Sequence, residues 1–287
     1  MKRSLFPITI ILIFLTSSIF LSSFSCVDNA KKEKTGDSLE NQSAVDYSKY
    51  EKPVILFDLA HREVFSPSDP GPRGLKSCAT ALKRLGFEVV ENTSPFSQST
   101  LKGAAAVFIA GAMQPLGEGE IKSLTEFVKS GGSLIITVHV SYFLQPLLSA
   151  LGYQITSSPL CDAANRFHEN NKDFLAKELV RHPLTENVTG IAVMGAYGLK
   201  GKNDSVSELI FTSPSAWVDI NGNDIKDTGD IEGKFCVVAA SEFGKGKIVV
   251  IGDDAVFSNL LIQNSGNSQL LKNIFEWFIG KRGEGSI

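Results

Sequence analysis

From residue 53 onward, short unbroken apolar runs alternate with segments whose apolar residues recur at helical spacing, and this alternation restricts the chain to a layered α/β architecture. Residues 53–61 form the first such run, bounded by polar residues, as a strand buried on both faces requires. A loop rich in Ser, Pro, Asp and Gly follows at 66–74, and Leu75, Cys78, Leu82 and Leu85 then mark a helix that Gly86 stops. Residues 87–91 read as a second strand and 104–110 as a third, ending at Gly111. Ile121, Leu124, Phe127 and Val128 give an amphipathic helix closed by Gly131-Gly132, before a strand at 133–139. Residues 140–151 read as helical despite Pro146, and 152–156 as a strand. The pattern predicts a mostly parallel sheet with helices on both faces.

The second half is less regular. Residues 157–187 read as an irregular insertion outside the sheet, and 190–195, 208–212 and 216–219 as short strands. Residues 235–241 and 247–252 flank a tight turn at 242–246 and predict a C-terminal β-hairpin. Two helices, at 255–263 and 268–279, close the chain.

The N-terminus carries a different signal. Lys2 and Arg3 precede an uncharged, mostly apolar run at 4–24, and small polar residues lead to Cys26. These are the parts of a signal peptide at 1–26; an uncleaved anchor is the alternative, and either places the rest outside the cytoplasm. Ser23-Phe24-Ser25-Cys26 resembles a bacterial lipobox, with Ser25 fitting and Ser23 standing where Leu is usual. Cys26 is therefore the candidate lipidation site of a membrane-anchored envelope lipoprotein, with plain secretion as the alternative. Residues 27–52 are polar and charged and read as a flexible tether, leaving 53–287 as the domain. The net charge is −3 without a basic stripe, which argues against nucleic acid as a partner and leaves the membrane, and a candidate protein partner. Cys78, Cys161 and Cys236 lack zinc-ligand spacing. In an oxidising space they allow a disulfide plus a free thiol, or three buried apolar residues, the preferred reading for Cys78 and Cys236.

Several pieces together resemble a known family. Asp58, His61, Arg62 and Glu63 follow the first strand, and Phe127 with Gly131-Gly132 forms a helix, Gly-Gly, strand unit. His182-Pro183-Leu184-Thr185 sits in the middle, and Gly244-Lys245-Gly246, Asp253, Phe257-Ser258-Asn259 and Asn273 to Trp277 end the domain. Across residues 53–278 this resembles the class I glutamine amidotransferase-like superfamily. Within it, the likeness is to an extracytoplasmic domain-of-unknown-function branch, similar to GldG and to the N-terminal domain of an intraflagellar transport B-complex subunit. The resemblance implies a flavodoxin-like sheet. Amidotransferases place a nucleophilic Cys on a sharp turn after a strand; here that turn is His139-Val140-Ser141, without a Cys. The resemblance therefore implies a frame without amidotransferase chemistry, and the motility and transport relatives suggest a binding or scaffold domain of a transport or surface system.

In open α/β sheets, ligands bind beyond the carboxyl ends of the strands. The candidates there are Asp58, His61, Arg62 and Glu63, then Gly111, His139, Asp253 and Asp254. Asp58, His61, His139 and Asp253 could form an acid-base or metal-binding cleft, making the alternative a divergent hydrolase of a small or carbohydrate substrate. Against this, the aspartates could cap turns or helices. Finally, Asp219, Asn221, Asn223, Asp227 and Asp230 occupy positions 1, 3, 5, 9 and 12 of a calcium loop, with Ile225 offering its carbonyl at position 7. Asp224 replaces the usual Gly at position 6, and an Asn-Gly turn between strands is the simpler reading.

Overall fold

A computed structural model describes residues 46–280. The expected signal segment 1–26 with Cys26, and residues 27–45 of the expected tether, lie outside the described residues. The end of the stretch read as tether is packed, however. Tyr47 is buried, its N–H donates to the Lys102 carbonyl at 3.0 Å, and Asp46 pairs with Lys102 at 2.9 Å. No helix among the described residues is long and apolar enough to cross a membrane.

Strands β1 (Val54–Asp58), β2 (Glu88–Asn92), β3 (Ala106–Ala110) and β4 (Ser133–Thr137) pair in parallel in the order β2-β1-β3-β4. Helices α1 (Lys76–Arg84), α2 (Glu118–Lys129) and α3 (Ser141–Ala150) connect or follow them. The chain then makes β5 (Tyr153–Cys161), β6 (Asp173–Ala176), β7 (Glu178–Leu179), β8 (Ile191–Met194), β9 (Tyr197–Gly201), β10 (Val206–Phe211), β11 (Trp217–Val218) and β12 (Ile231–Glu232). It returns through β13 (Cys236–Phe243) and β14 (Gly246–Ile251) and ends in α4 (Asn267–Phe278).

The sheet is mixed, not mostly parallel. β14 pairs parallel with β4 on one side and antiparallel with β13 on the other. Beyond β13 every pairing is antiparallel, through β9, β5, β11 and β12, with β10 and β7 branching off β13. The reason lies in the connections. Parallel pairing needs a crossover helix, which the chain supplies only in its first half; later strands are joined by turns. The predicted hairpin is β13–β14, and Gly244, at φ 65°, begins its two-residue turn. A Cβ there would lie 2.7 Å from the Lys129 backbone, so this turn accepts only glycine.

Side chains alternate between two cores. Ile55, Phe57, Phe108, Ile135 and Val249 pack with Leu82 of α1 and with Leu270, Ile274 and Phe275 of α4. Val54, Leu56, Val107, Ile136 and Val250 pack with Leu124 and Val128 of α2 and with Leu144 and Leu148 of α3. Both sheet faces are thus covered by helices. Phe57 and Phe108 lie 4.7 Å apart between ring centres, and Phe257 meets Phe108 edge-on at 6.3 Å.

Two local expectations change, and the buried reading of the cysteines holds. Residues 157–187 hold the end of β5 and the strands β6 and β7, and β6 pairs with β8 in a separate two-stranded sheet. The expected helix at 255–263 shrinks to a 3-10 turn, Ala255–Phe257. Its continuation fails because Asn259 N–H donates to Gly74 O and Leu260 N–H to Pro72 O, rather than to carbonyls one turn back. The Asn259 side chain completes this junction, accepting from Ser77 N–H and donating to the Asp69 and Gly71 carbonyls. The three cysteines are buried and free, so no disulfide forms among the described residues.

Phe108 touches neighbours from both ends of the chain and is 1 % exposed. Phe108→Ala is expected to cost about 3–5 kcal/mol, read as a lower urea midpoint with unchanged slope.

Candidate functional site

The carboxyl ends of β1, β3, β4 and β14 share one sheet edge, because these strands run parallel. The loop after β1 turns inward there. Asp58 Oδ1 accepts from Ala60 N–H at 3.1 Å, and Asp58 Oδ2 meets His61 Nδ1 at 2.7 Å. Arg62 is exposed and left-handed, at φ 55°, which lets the side chains of His61 and Glu63 on either side of it both turn into the protein. Glu63 Oε2 accepts the His61 N–H at 3.1 Å, while Glu63 Oε1 has no hydrogen-bond partner among the described residues. The second ring nitrogen of His61, Nε2, lies 3.1 Å from Glu120 Oε1, and Phe96 stacks on the ring at 5.7 Å. Glu120 is itself fixed in the first turn of α2, accepting from Phe96 N–H and Gly117 N–H.

The electrostatics follow from this enclosure. Burial works against a charged His61, but the bond and charge of Asp58, joined by Glu120, outweigh it and raise its pKa to about 9. Burial first, and the neighbouring Asp58 carboxyl second, push Glu63 upward. Glu120 moves down, because the Gly117 and Phe96 N–H groups and His61 outweigh its burial. His61 is therefore a clamped imidazolium with both nitrogens engaged, not a free base.

A second pair lies at the ends of β4 and β14. His139 Nδ1 approaches Asp254 Oδ2 to 2.7 Å. At that distance the two side chains form an ion-pair contact. Asp254 raises the pKa of His139, with burial and Arg73 opposing. Burial raises Asp254 as well, and His139 only partly offsets it. The His139 side chain is 39 % exposed, so the pair reaches solvent. Gly111, at φ 72°, lies against it: a Cβ there would sit 2.5 Å from Asp254 Oδ2. Gly111 also accepts from Val64 N–H and donates to Thr137 O, linking the β1 loop to the end of β4.

Asp253 is different. Its oxygens accept from Met194 N–H at 2.7 Å and Ala255 N–H at 2.8 Å, and burial holds its pKa well above the carboxylate range. It is a backbone cap. The expected quartet thus resolves into Asp58 with His61 and, separately, His139 with Asp254 in place of Asp253. No hydrogen bond joins the two pairs.

The Asp/Asn loop sits between β11 and β12, not between helices. Asp219 accepts from the N–H groups of Gly222, Asn223 and Asp224. The amides of Asn221 and Asn223 both donate to Asp227 Oδ2, and Asp230 accepts from Ile220 and Asp227 N–H. Asp224 takes the left-handed conformation, φ 61°, at the position where calcium loops place Gly. The ligand residues do converge, but the Lys172 ammonium lies 2.9 Å from Asp219 Oδ2 and also pairs with Asp224. Burial works against that charge, yet Asp224 and Asp219 raise the Lys172 pKa to about 12. A built-in cation therefore balances the acidic end of the loop.

Sequence reasoning missed Glu120 and Lys172. Glu120 stands at the third position of α2 after Gly117, where a carboxylate reaches back to free N–H groups, and that placement was a readable sign. Lys172 carries no local signal, because β6 brings it to the loop only in three dimensions.

Two expectations are testable. The His61 pKa lies above its ordinary 6.5, so its stabilisation is complete below about 6.5 and is lost as pH rises through about 9; Glu63 shifts in the same sense. In chelator-containing buffer, unfolding free energy is expected to fall from about pH 6 to 9, and His61→Gln to flatten that fall. An equally steep fall in the variant would assign it to other groups. Because Lys172 balances the Asp/Asn loop, EGTA is expected to leave the Tm of the wild type unchanged; a rise in Tm with added calcium chloride would refute this.

No curated protein matches the sequence. Among solved structures, the mmIFT52 N-terminal domain is similar with a TM-score of 0.65 at 17 % identity, over 81 % of this chain and 100 % of that one. That identity shows a shared fold alone. A ThuA-like protein from Bacteroides uniformis reaches a TM-score of 0.47 at 18 % identity, over 84 % of this chain and 97 % of that one. An exo-beta-1,4-mannosidase from an Opitutaceae bacterium reaches 0.41 at 14 %, over 82 % of this chain and 36 % of that one. The profile of one family, a domain of unknown function termed DUF4350, matches residues 67–275, and the chain belongs to that family.

Proposed function

We propose that this chain is a membrane-tethered, extracytoplasmic binding or scaffold domain, built on a glutamine amidotransferase-like frame that has lost the catalytic nucleophile. The observation that carries this reading is how the strand-end groups are used. Both nitrogens of His61 face carboxylates, both oxygens of Asp253 hold backbone N–H groups, and the turn after β4 offers His139-Val140 where a Cys nucleophile would stand. Groups committed to one another are rigid and poorly placed to exchange protons with a substrate. Rigid polar edges suit recognition, and residues 1–45 supply the features of an exported, lipid-anchored tether.

A divergent hydrolase is the second reading, favoured by one feature: the buried Asp254 carboxylate beside a half-exposed His139. Assay of the full-length protein with nitrophenyl acetate, phosphate and glycosides separates the two. No turnover above buffer is expected. Turnover that His139→Ala abolishes, with circular dichroism unchanged, would establish the hydrolase. Labelling with an alkyne fatty acid tests the tether, since label is expected on the wild type and not on Cys26→Ala.

A further inference from the structure

The loop after β1 buries a cluster that the binding reading leaves unused. The donor atoms of Asp58, His61 and Glu63 all lie within 4.8 Å of one another. The side chains of Asp58 and Glu63 are 0 % exposed and that of His61 is 6 %. Glu63 Oε1 lies 3.9 Å from His61 Nδ1 and has no hydrogen-bond partner among the described residues. A buried carboxyl oxygen without a partner is costly, and a proton taken up there or a metal ion would each answer that cost. On the far side of the ring, Nε2 is 3.1 Å from Glu120 Oε1, and two backbone N–H groups hold Glu120 in place. Metal-bound imidazoles commonly donate their other N–H to a carboxylate, which fixes the tautomer and the ring orientation. The outer support that a metal-binding histidine needs is thus present, and the inner face carries two carboxylates, one with a spare oxygen.

We propose that Asp58, His61 through Nδ1, and Glu63 form a site for a divalent transition-metal ion, with Glu120 orienting His61 through Nε2. The proton on Nδ1 and the proton held by the Glu63 carboxyl both leave to solvent as the ion binds, and the two carboxylates so formed balance its charge. Mixed oxygen and nitrogen donors fit zinc or manganese; calcium and magnesium favour oxygen alone. Binding requires a small opening, because ligands about 2.0–2.2 Å from one ion stand farther apart than the present 2.7 Å between Asp58 and His61. The ion would brace the β1 loop against α2, and this holds whether the domain binds or hydrolyses.

The test uses the full-length protein, stripped with EDTA and titrated with zinc chloride and with manganese chloride by isothermal calorimetry. Saturable uptake of about one ion per chain is expected. It should weaken at least about 10-fold in Glu63→Gln and about 10–100-fold in Glu120→Gln. X-ray absorption on the zinc-loaded wild type, which depends on no variant folding, is expected to show imidazole and oxygen ligands without sulfur. No saturable uptake of either ion, sulfur ligation, or unchanged binding by a natively folded Glu63→Gln would each overturn the site.

Discussion

Everything in this domain is arranged around a parallel ladder whose residues are buried on both faces. In β1, Val54 to Phe57 are each at most 1 % exposed, and β3 and β4 repeat that pattern. A strand with no wet face must be covered twice, which is why α1 and α4 occupy one side and α2 and α3 the other. The same parallel direction brings the carboxyl ends of β1, β3, β4 and β14 to one edge. The position of the candidate polar groups at that edge is therefore a consequence of how the apolar core is closed.

At that edge the polar groups satisfy one another before they meet any ligand. Asp58, His61, Glu63 and Glu120 form one enclosed set, and His139 with Asp254 forms another, with Gly111 packed against the second. Enclosure decides the charge states. A histidine between two carboxylates keeps its proton, whereas a carboxyl beside another carboxyl in a dry site takes one up. The half-exposed His139 is one place where this edge opens to solvent.

The parallel half was legible because apolar runs and helical spacing are local properties. Leu75, Cys78 and Leu82 announced α1, and Ile121, Leu124 and Val128 announced α2. In the antiparallel half the closing hairpin and the short strands β8, β10 and β11 were legible, but the pairing of the strands was not. β9 carries Gly198 and Gly201 and lacks a clear apolar alternation, and its place is set by β5 and β13 on either side. The helix expected after residue 255 had suitable spacing, but the carbonyls of Pro72 and Gly74, remote in sequence, took its N–H groups. The site divides in the same way. Asp58 and His61 stand three residues apart, so their pairing could be anticipated, whereas Lys172 reaches Asp219 only through the fold.

The order of strands also sets a timetable. β14 is the last strand in sequence, yet it lies in the middle of the sheet, between β4 and β13. A chain synthesised N-terminus first exposes β1 to β4 long before their neighbour arrives. Until then the open side of β4 presents unpaired amides and carbonyls beside apolar side chains, a surface prone to unwanted strand pairing. The domain cannot close around a partial chain, and the waiting edge needs either fast completion or an attendant that shields that seam.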